Sequence, residues 1–68
     1  MELYDVCKRV TALLQERHKD DPMGLIRAKG DFARSTGFLV SLVGPNDPDD
    51  PEKVRLVRAA AAERGFLV

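Results

Sequence analysis

The sequence is poor in the residues that chemistry and covalent stapling depend on: one cysteine, one histidine, no tryptophan and no net charge. A single cysteine excludes an intramolecular disulfide. One Cys with one His falls short of the several ligands that a zinc site takes at set spacings, so no metal and no cofactor are expected. His18 has no Ser, Cys or Asp arranged with it as in a nucleophilic triad, and it reads as a surface cation at a helix end. Cys7 falls on an apolar helix face, where a thiol packs and stays protonated rather than reacting. The chain is therefore expected not to be an enzyme, and no small-molecule ligand is implied.

Long hydrophobic runs are also missing. The longest, residues 37–43, already contains Ser41, and a membrane helix needs about 18 apolar residues or more. Met1 leads directly into a charged amphipathic stretch rather than a basic and apolar leader, so a cytoplasmic location and no membrane partner are expected. Zero net charge argues against strong non-specific nucleic-acid binding, which draws on clustered Lys and Arg. The charge is uneven, however. Two positive segments, 22–45 and 53–68, flank an acidic loop at 46–52. Asp47, Asp49, Asp50 and Glu52 invite a calcium reading, but prolines interrupt the run and the central Gly of a calcium loop is absent, so the loop reads as solvated.

What is present is helical patterning in a chain of 68 residues that is 44% hydrophobic and 32% charged. This suits one small all-α domain over residues 1–68. A chain this short buries only about 60% of its extended surface. The aromatic residues are Tyr4, Phe32, Phe38 and Phe66, so the core must rest on Leu, Val, Ile and Ala. A first helix is expected over residues 2–18, with Leu3, Val6, Cys7, Val10, Leu13 and Leu14 on one face. Asp21 and Pro22 form a cap and first-turn pair. They start a short helix over 22–29 with Leu25 and Ile26 buried. Gly30 and Asp31 then serve as a second stop and start for a helix over 32–43. Its core face would hold Phe32, Thr36, Leu39, Val40 and Val43, and its outer face Arg34, Gly37, Phe38 and Ser41. Leu42 would lie between. Gly30, Gly37 and Gly44 are also spaced by seven, so the alternative is one long helix with a glycine stripe that lets another helix approach. Each interior Gly costs about 1 kcal/mol relative to Ala, and the break at Gly30 is preferred. Asp50 and Pro51 start the last helix, with Val54, Leu56, Val57, Ala60 and Ala61 inward. Gly65 stops it, and Phe66 folds back on the core. The expected architecture is a compact bundle of four helices.

Two short helices around a tight turn at Gly30 would make a helix-turn-helix unit at residues 22–43. Arg34, Ser35 and Thr36 would occupy the first turns of the second helix, where side chains reach base edges. Arg27, Lys29, Arg55 and Arg58 would contact phosphates. The run Asp31-Phe32-Ala33-Arg34-Ser35-Thr36, an apolar stretch ending at Gly44, a polar loop and a helix closing on Arg64-Gly65-Phe66 together resemble the headpiece of LacI-type repressors. The length and the amphipathic first helix are similar to phage Cro and repressor domains. The resemblance spans about residues 24–66 and implies a small DNA-binding transcriptional regulator with duplex DNA as its partner. A second register places Ala33 and Gly37 in the turn and leaves the apolar residues 38–43 as the reading helix.

The competing expectation is a helical protein–protein interaction module, with itself or another protein as partner. Outward Phe38, with Leu42 and Ser41 nearby and Gly37 giving close access, would form an apolar surface of the kind that marks interfaces.

Overall fold

The structure is a computed structural model that describes residues 2–66. Three α-helices follow in order: α1 at Glu2–Arg17, α2 at Pro22–Thr36 and α3 at Pro51–Glu63, with a 3-10 turn at Val40–Leu42 between α2 and α3. No strand occurs among the described residues. The all-α expectation holds, but the bundle has three helices rather than four.

α1 carries its apolar residues at helical spacing, and Leu3, Val6, Cys7, Val10 and Leu14 are buried while Leu13 is half-buried. Asp5, Lys8, Arg9, Ala12 and Glu16 line its exposed side. Its N-terminus is capped from a distance. The Asp49 carboxylate accepts the backbone N–H of Glu2 at 3.2 Å and of Leu3 at 3.1 Å. A carboxylate there satisfies two of the first four N–H groups, which have no partner within the helix, and meets the positive end of the helix dipole. Asp21 caps α2 by accepting from Gly24 N–H at 3.0 Å, and Asp50 caps α3 by accepting from Glu52 N–H at 3.0 Å. Each of those two helices then opens on a proline. The acidic loop is thus a set of structural acceptors, with Asp47 accepting Gly44 N–H at 2.7 Å as well.

α2 runs through Gly30 without a break. Leu25, Ala28, Phe32 and Thr36 fall on one face at helical spacing and meet the core together. Burial of Phe32 and the pairing of Asp31 with Arg64 carry the helix across Gly30, despite the roughly 1 kcal/mol that an interior glycine costs. Asp31 does not cap; its carboxylate lies 2.7 Å from Arg64 Nε. The helix ends at Thr36 instead of extending to Val43. Gly37 takes the left-handed conformation (φ 85°) and its N–H donates to Ala33 C=O at 2.8 Å. A side chain is strained at that φ, so glycine is the residue that stops α2 here.

Ile26, expected inside, is 63% exposed. Continuity of α2 explains this. With Phe32 fully buried, a position six residues earlier points about 120° away on a helix of 3.6 residues per turn. Leu39, also expected inside, is 46% exposed because the chain has already left the helix. Val40 is buried in the 3-10 turn, which packs on α1.

α3 packs against both α1 and α2. Val54, Val57, Ala60 and Ala61 are buried, and the small alanines allow the close approach. After Glu63 the chain closes as expected. Gly65 has φ 74°, its N–H donates to Ala62 C=O at 3.1 Å, and Phe66 N–H donates to Ala61 C=O at 2.9 Å. This pairing satisfies the last carbonyls and turns Phe66 onto the core, 5.7 Å from Phe32 between ring centroids.

Candidate interaction face

The buried side of α2 fixes what its other side presents. With Phe32 at the core and about 100° between successive residues, the outward stripe runs through Met23, Ile26 and Gly30, with the half-buried Ala33 beyond them and Gly37 just past the helix end. That is a heptad seam, with apolar or small residues at alternating spacings of three and four. Met23 is 61% exposed and Ile26 63%. A Cβ added at Gly30 would meet nothing within 4 Å, so the seam is open at its centre. Arg27 and Arg34 are exposed along one edge, and Lys29, half-buried, lies on the other.

These three cations differ from the other basic residues singled out by the sequence. Arg55 is held by Glu52 through its Nε at 3.1 Å and a second, closer contact, and Arg58 pairs with Glu2. Hydrogen bonding to Arg55 holds the Glu52 carboxyl below its ordinary range. Among the described residues neither Arg27 nor Lys29 has an ion-pair partner. Arg34 adds to the positive field that, after the Arg64 hydrogen bond, lowers the Asp31 pKa, but among the described residues it has no ion pair. Arg27, Lys29 and Arg34 therefore share one helix, with Lys29 on the opposite edge of the seam, while Arg55 and Arg58 are spent on α3 and the start of α1.

Ser35, although exposed, and the buried Thr36 are both engaged in structural contacts. Both lie at the C-terminal end of α2, not in the first turns of a reading helix, because no helix begins at Gly30. The Ser35 hydroxyl accepts from Arg64 Nη2 at 2.7 Å. Thr36 is buried; its hydroxyl lies 2.8 Å from the Phe32 carbonyl and 2.9 Å from the Phe38 carbonyl. That hydrogen bond closes the helix end over the Gly37 turn.

Compared with protein families, curated proteins and solved structures, the chain matches none. Geometry alone distinguishes its surfaces.

Phe38 does not head an outward patch. It is half-buried against the core, with the Lys53 ammonium 5.3 Å above its ring. Gly37, Ser41 and Leu42 are exposed, Leu42 to 73%. The groove beside Ser41 also takes in Tyr4, Lys8 and Thr11 of α1. Among the exposed apolar residues that sequence reasoning missed, Met23 and Ile26 share the outer side of α2, while Leu39 lies beyond its end. The signal was available: the spacing 23, 26, 30, 33, 37 is a heptad once the helix is allowed through Gly30.

Cys7 and His18 lie apart, one in the core and one beside the α2 cap. Burial pushes the Cys7 thiol up to about 11, so it stays protonated near neutral pH. His18 Nδ1 lies 3.7 Å from Asp21 Oδ2, on the carboxylate already committed to capping α2. No group of three or more His, Cys, Asp or Glu among the described residues is placed to hold a metal, and no helix among them is long and apolar enough to cross a membrane.

Proposed function

We propose that the chain is a non-enzymatic helical interaction module that offers the outer face of α2 to another protein. The observation that carries this reading is the exposure of Met23 and Ile26 on a helix whose opposite face is fixed in the core. Fold stability gains nothing from two large apolar side chains in water, and apolar residues set together on a small surface suit a partner.

The test is whether Ile26 is free of folding duty. Ile26→Ser is expected to leave helicity intact and to change stability by no more than about 0.5 kcal/mol, as at other surface positions. A loss of about 2–5 kcal/mol, the range for truncating a large core side chain, would overturn the reading, because it would mean that the domain itself buries Ile26.

Arg27, Lys29 and Arg34 support duplex DNA as a second reading, now as phosphate contacts without a base-reading helix. A titration with generic duplex at low and then higher salt separates the two. Shifts confined to those three residues and abolished by salt favour DNA; their absence favours the protein partner.

A further inference from the structure

The edges of the α2 seam specify the chemistry of what covers it. This inference rests on the interaction reading above and names the partner. Positions flanking a heptad seam face the corresponding edges of the opposing helix. Here those positions hold Arg27 and Arg34 on one side and Lys29 on the other, with no carboxylate paired to Arg27 or Lys29 among the described residues. Asp31, the one acidic residue of α2, is held by Arg64.

A second copy does not satisfy this arrangement. In a parallel pair the Arg27 and Arg34 edge meets the Lys29 edge. In an antiparallel pair each edge meets itself. Both orientations set cation against cation, which destabilises helix pairs. The chain's own acidic loop is already engaged within the fold: Asp47, Asp49 and Asp50 accept backbone N–H groups and Glu52 holds Arg55.

The centre of the seam is equally specific. Gly30 occupies the middle of a helix, where glycine costs about 1 kcal/mol, and nothing inside the fold requires the missing side chain, since an added Cβ is in open space. A glycine between Ile26 and Ala33 lets a facing backbone or a bulky side chain come close. A bilayer surface fits poorly, because an interfacial helix buries a broad apolar face rich in large residues, and this seam has only Met23 and Ile26.

We infer that the partner is an acidic amphipathic helix that lies along α2, packs its apolar residues on Met23 and Ile26, seats a bulky one over Gly30, and sets carboxylates against Arg27, Arg34 and Lys29. A helix of 15 residues is only about 22 Å long. The contact therefore falls at the small end of interface sizes, with weak and rapidly exchanging binding.

The probe is a three-heptad peptide with Leu at the seam positions and Glu at both flanks, compared with the same peptide carrying Lys at the flanks. Glu–Glu repulsion keeps the first from pairing with itself. The acidic peptide should shift the amides of Met23, Ile26, Gly30 and Arg34 in the labelled full chain, more weakly as salt rises. The doubly substituted Arg27→Glu, Arg34→Glu protein should lose about tenfold or more in affinity for it and gain affinity for the Lys peptide. Gly30→Leu should block binding while leaving the fold intact.

Equal response to both peptides would overturn the acidic partner. Sedimentation as a dimer that Ile26→Ser dissociates would also overturn it, yet leave α2 as an interaction face. Preference of this face for anionic phosphatidylserine vesicles or duplex DNA over the peptide would overturn a helix as occupant. No response to either peptide, with no self-association, would overturn both the partner and the interaction reading.

Discussion

The guanidinium of Arg64 lies 4.8 Å from the centroid of the Phe32 ring, so the last turn of α3 is locked onto the central aromatic of α2. The same group reaches Asp31 at 2.7 Å, Ser35 at 2.7 Å and the Ala60 carbonyl at 2.8 Å. Arg17 covers the neighbouring Phe66 ring at 4.1 Å. Two cations thus close over two aromatic rings that themselves touch, and all three helices meet there. The consequence for α2 is rotational. Asp31, Phe32 and Ser35 are held together on the α3 side, which fixes the outward stripe of Met23, Ile26 and Gly30.

Arg64→Ala should therefore destabilise the domain by about 1–2 kcal/mol, combining a lost cation–π contact with lost charged hydrogen bonds. The melting temperature should fall by about 4–8 °C per kcal/mol in a domain of this size. Arg64→Lys should recover only part of this, because an ammonium cannot stack flat and donate in several directions at once. Full recovery by lysine in thermal melts would reduce the role of Arg64 to its charge.

Two interior glycines of α2 should respond in opposite ways to the same substitution. A Cβ at Gly24 would sit 2.0 Å from the Asp21 carboxylate oxygen, so Gly24→Ala forces the cap away and should cost about 0.5–2 kcal/mol. At Gly30 the space is open, and Gly30→Ala should stabilise α2 by about 0.5–1 kcal/mol. Urea denaturation of the two variants measures both signs. Destabilisation by Gly30→Ala would show that the fold, rather than a partner, demands that glycine.

Much of this was legible in the sequence, because local rules and tertiary packing agree over most of the chain. The buried face of α1, the caps at Asp21 and Asp50, the inward residues of α3 and the return of Phe66 follow from spacing and terminal chemistry. The middle of the chain was not legible. Gly30-Asp31 reads as a stop and a cap, and what carries the helix across it is the burial of Phe32 and the Asp31–Arg64 pair, which join residues 33 positions apart. The role of Asp49 was hidden for the same reason: it caps a helix that begins 47 residues earlier. Once Gly30 is taken as a break, Ile26 turns inward on paper, Arg34 and Ser35 move to a helix start, and the seam disappears.

The Cys7 thiol, 1% exposed and with its pKa raised to about 11 by burial, should resist alkylation by iodoacetamide at pH 8 in the folded protein. It should react readily once the chain is unfolded in denaturant. Mass spectrometry after a timed pulse gives the comparison, and rapid modification under native conditions would contradict the packing of α1.

Acid should loosen the α2–α3 lock. The hydrogen bond from Arg64 holds Asp31 below its ordinary value of 3.8. A carboxyl depressed on folding contributes its full stabilisation above that ordinary value and loses it as the pH falls through the lower, folded value. Asp31→Asn should flatten the decline of melting temperature below pH 3.8 while leaving the neutral-pH slope unchanged. The same acid-side slope in both proteins would show that the Arg64 pair does not persist in solution.

The measurement that bears most directly on the whole account is the set of Cα secondary chemical shifts and amide exchange rates across residues 27–34 of the free protein. A continuous α2 predicts helical shifts without interruption through Lys29, Gly30 and Asp31, reverting only at Gly37. Loss of helical shift at Gly30, with a new helix start at Asp31 or Phe32, would contradict it. That result would return Arg34 and Ser35 to the first turns of a second helix, and with them the arrangement suited to reading DNA.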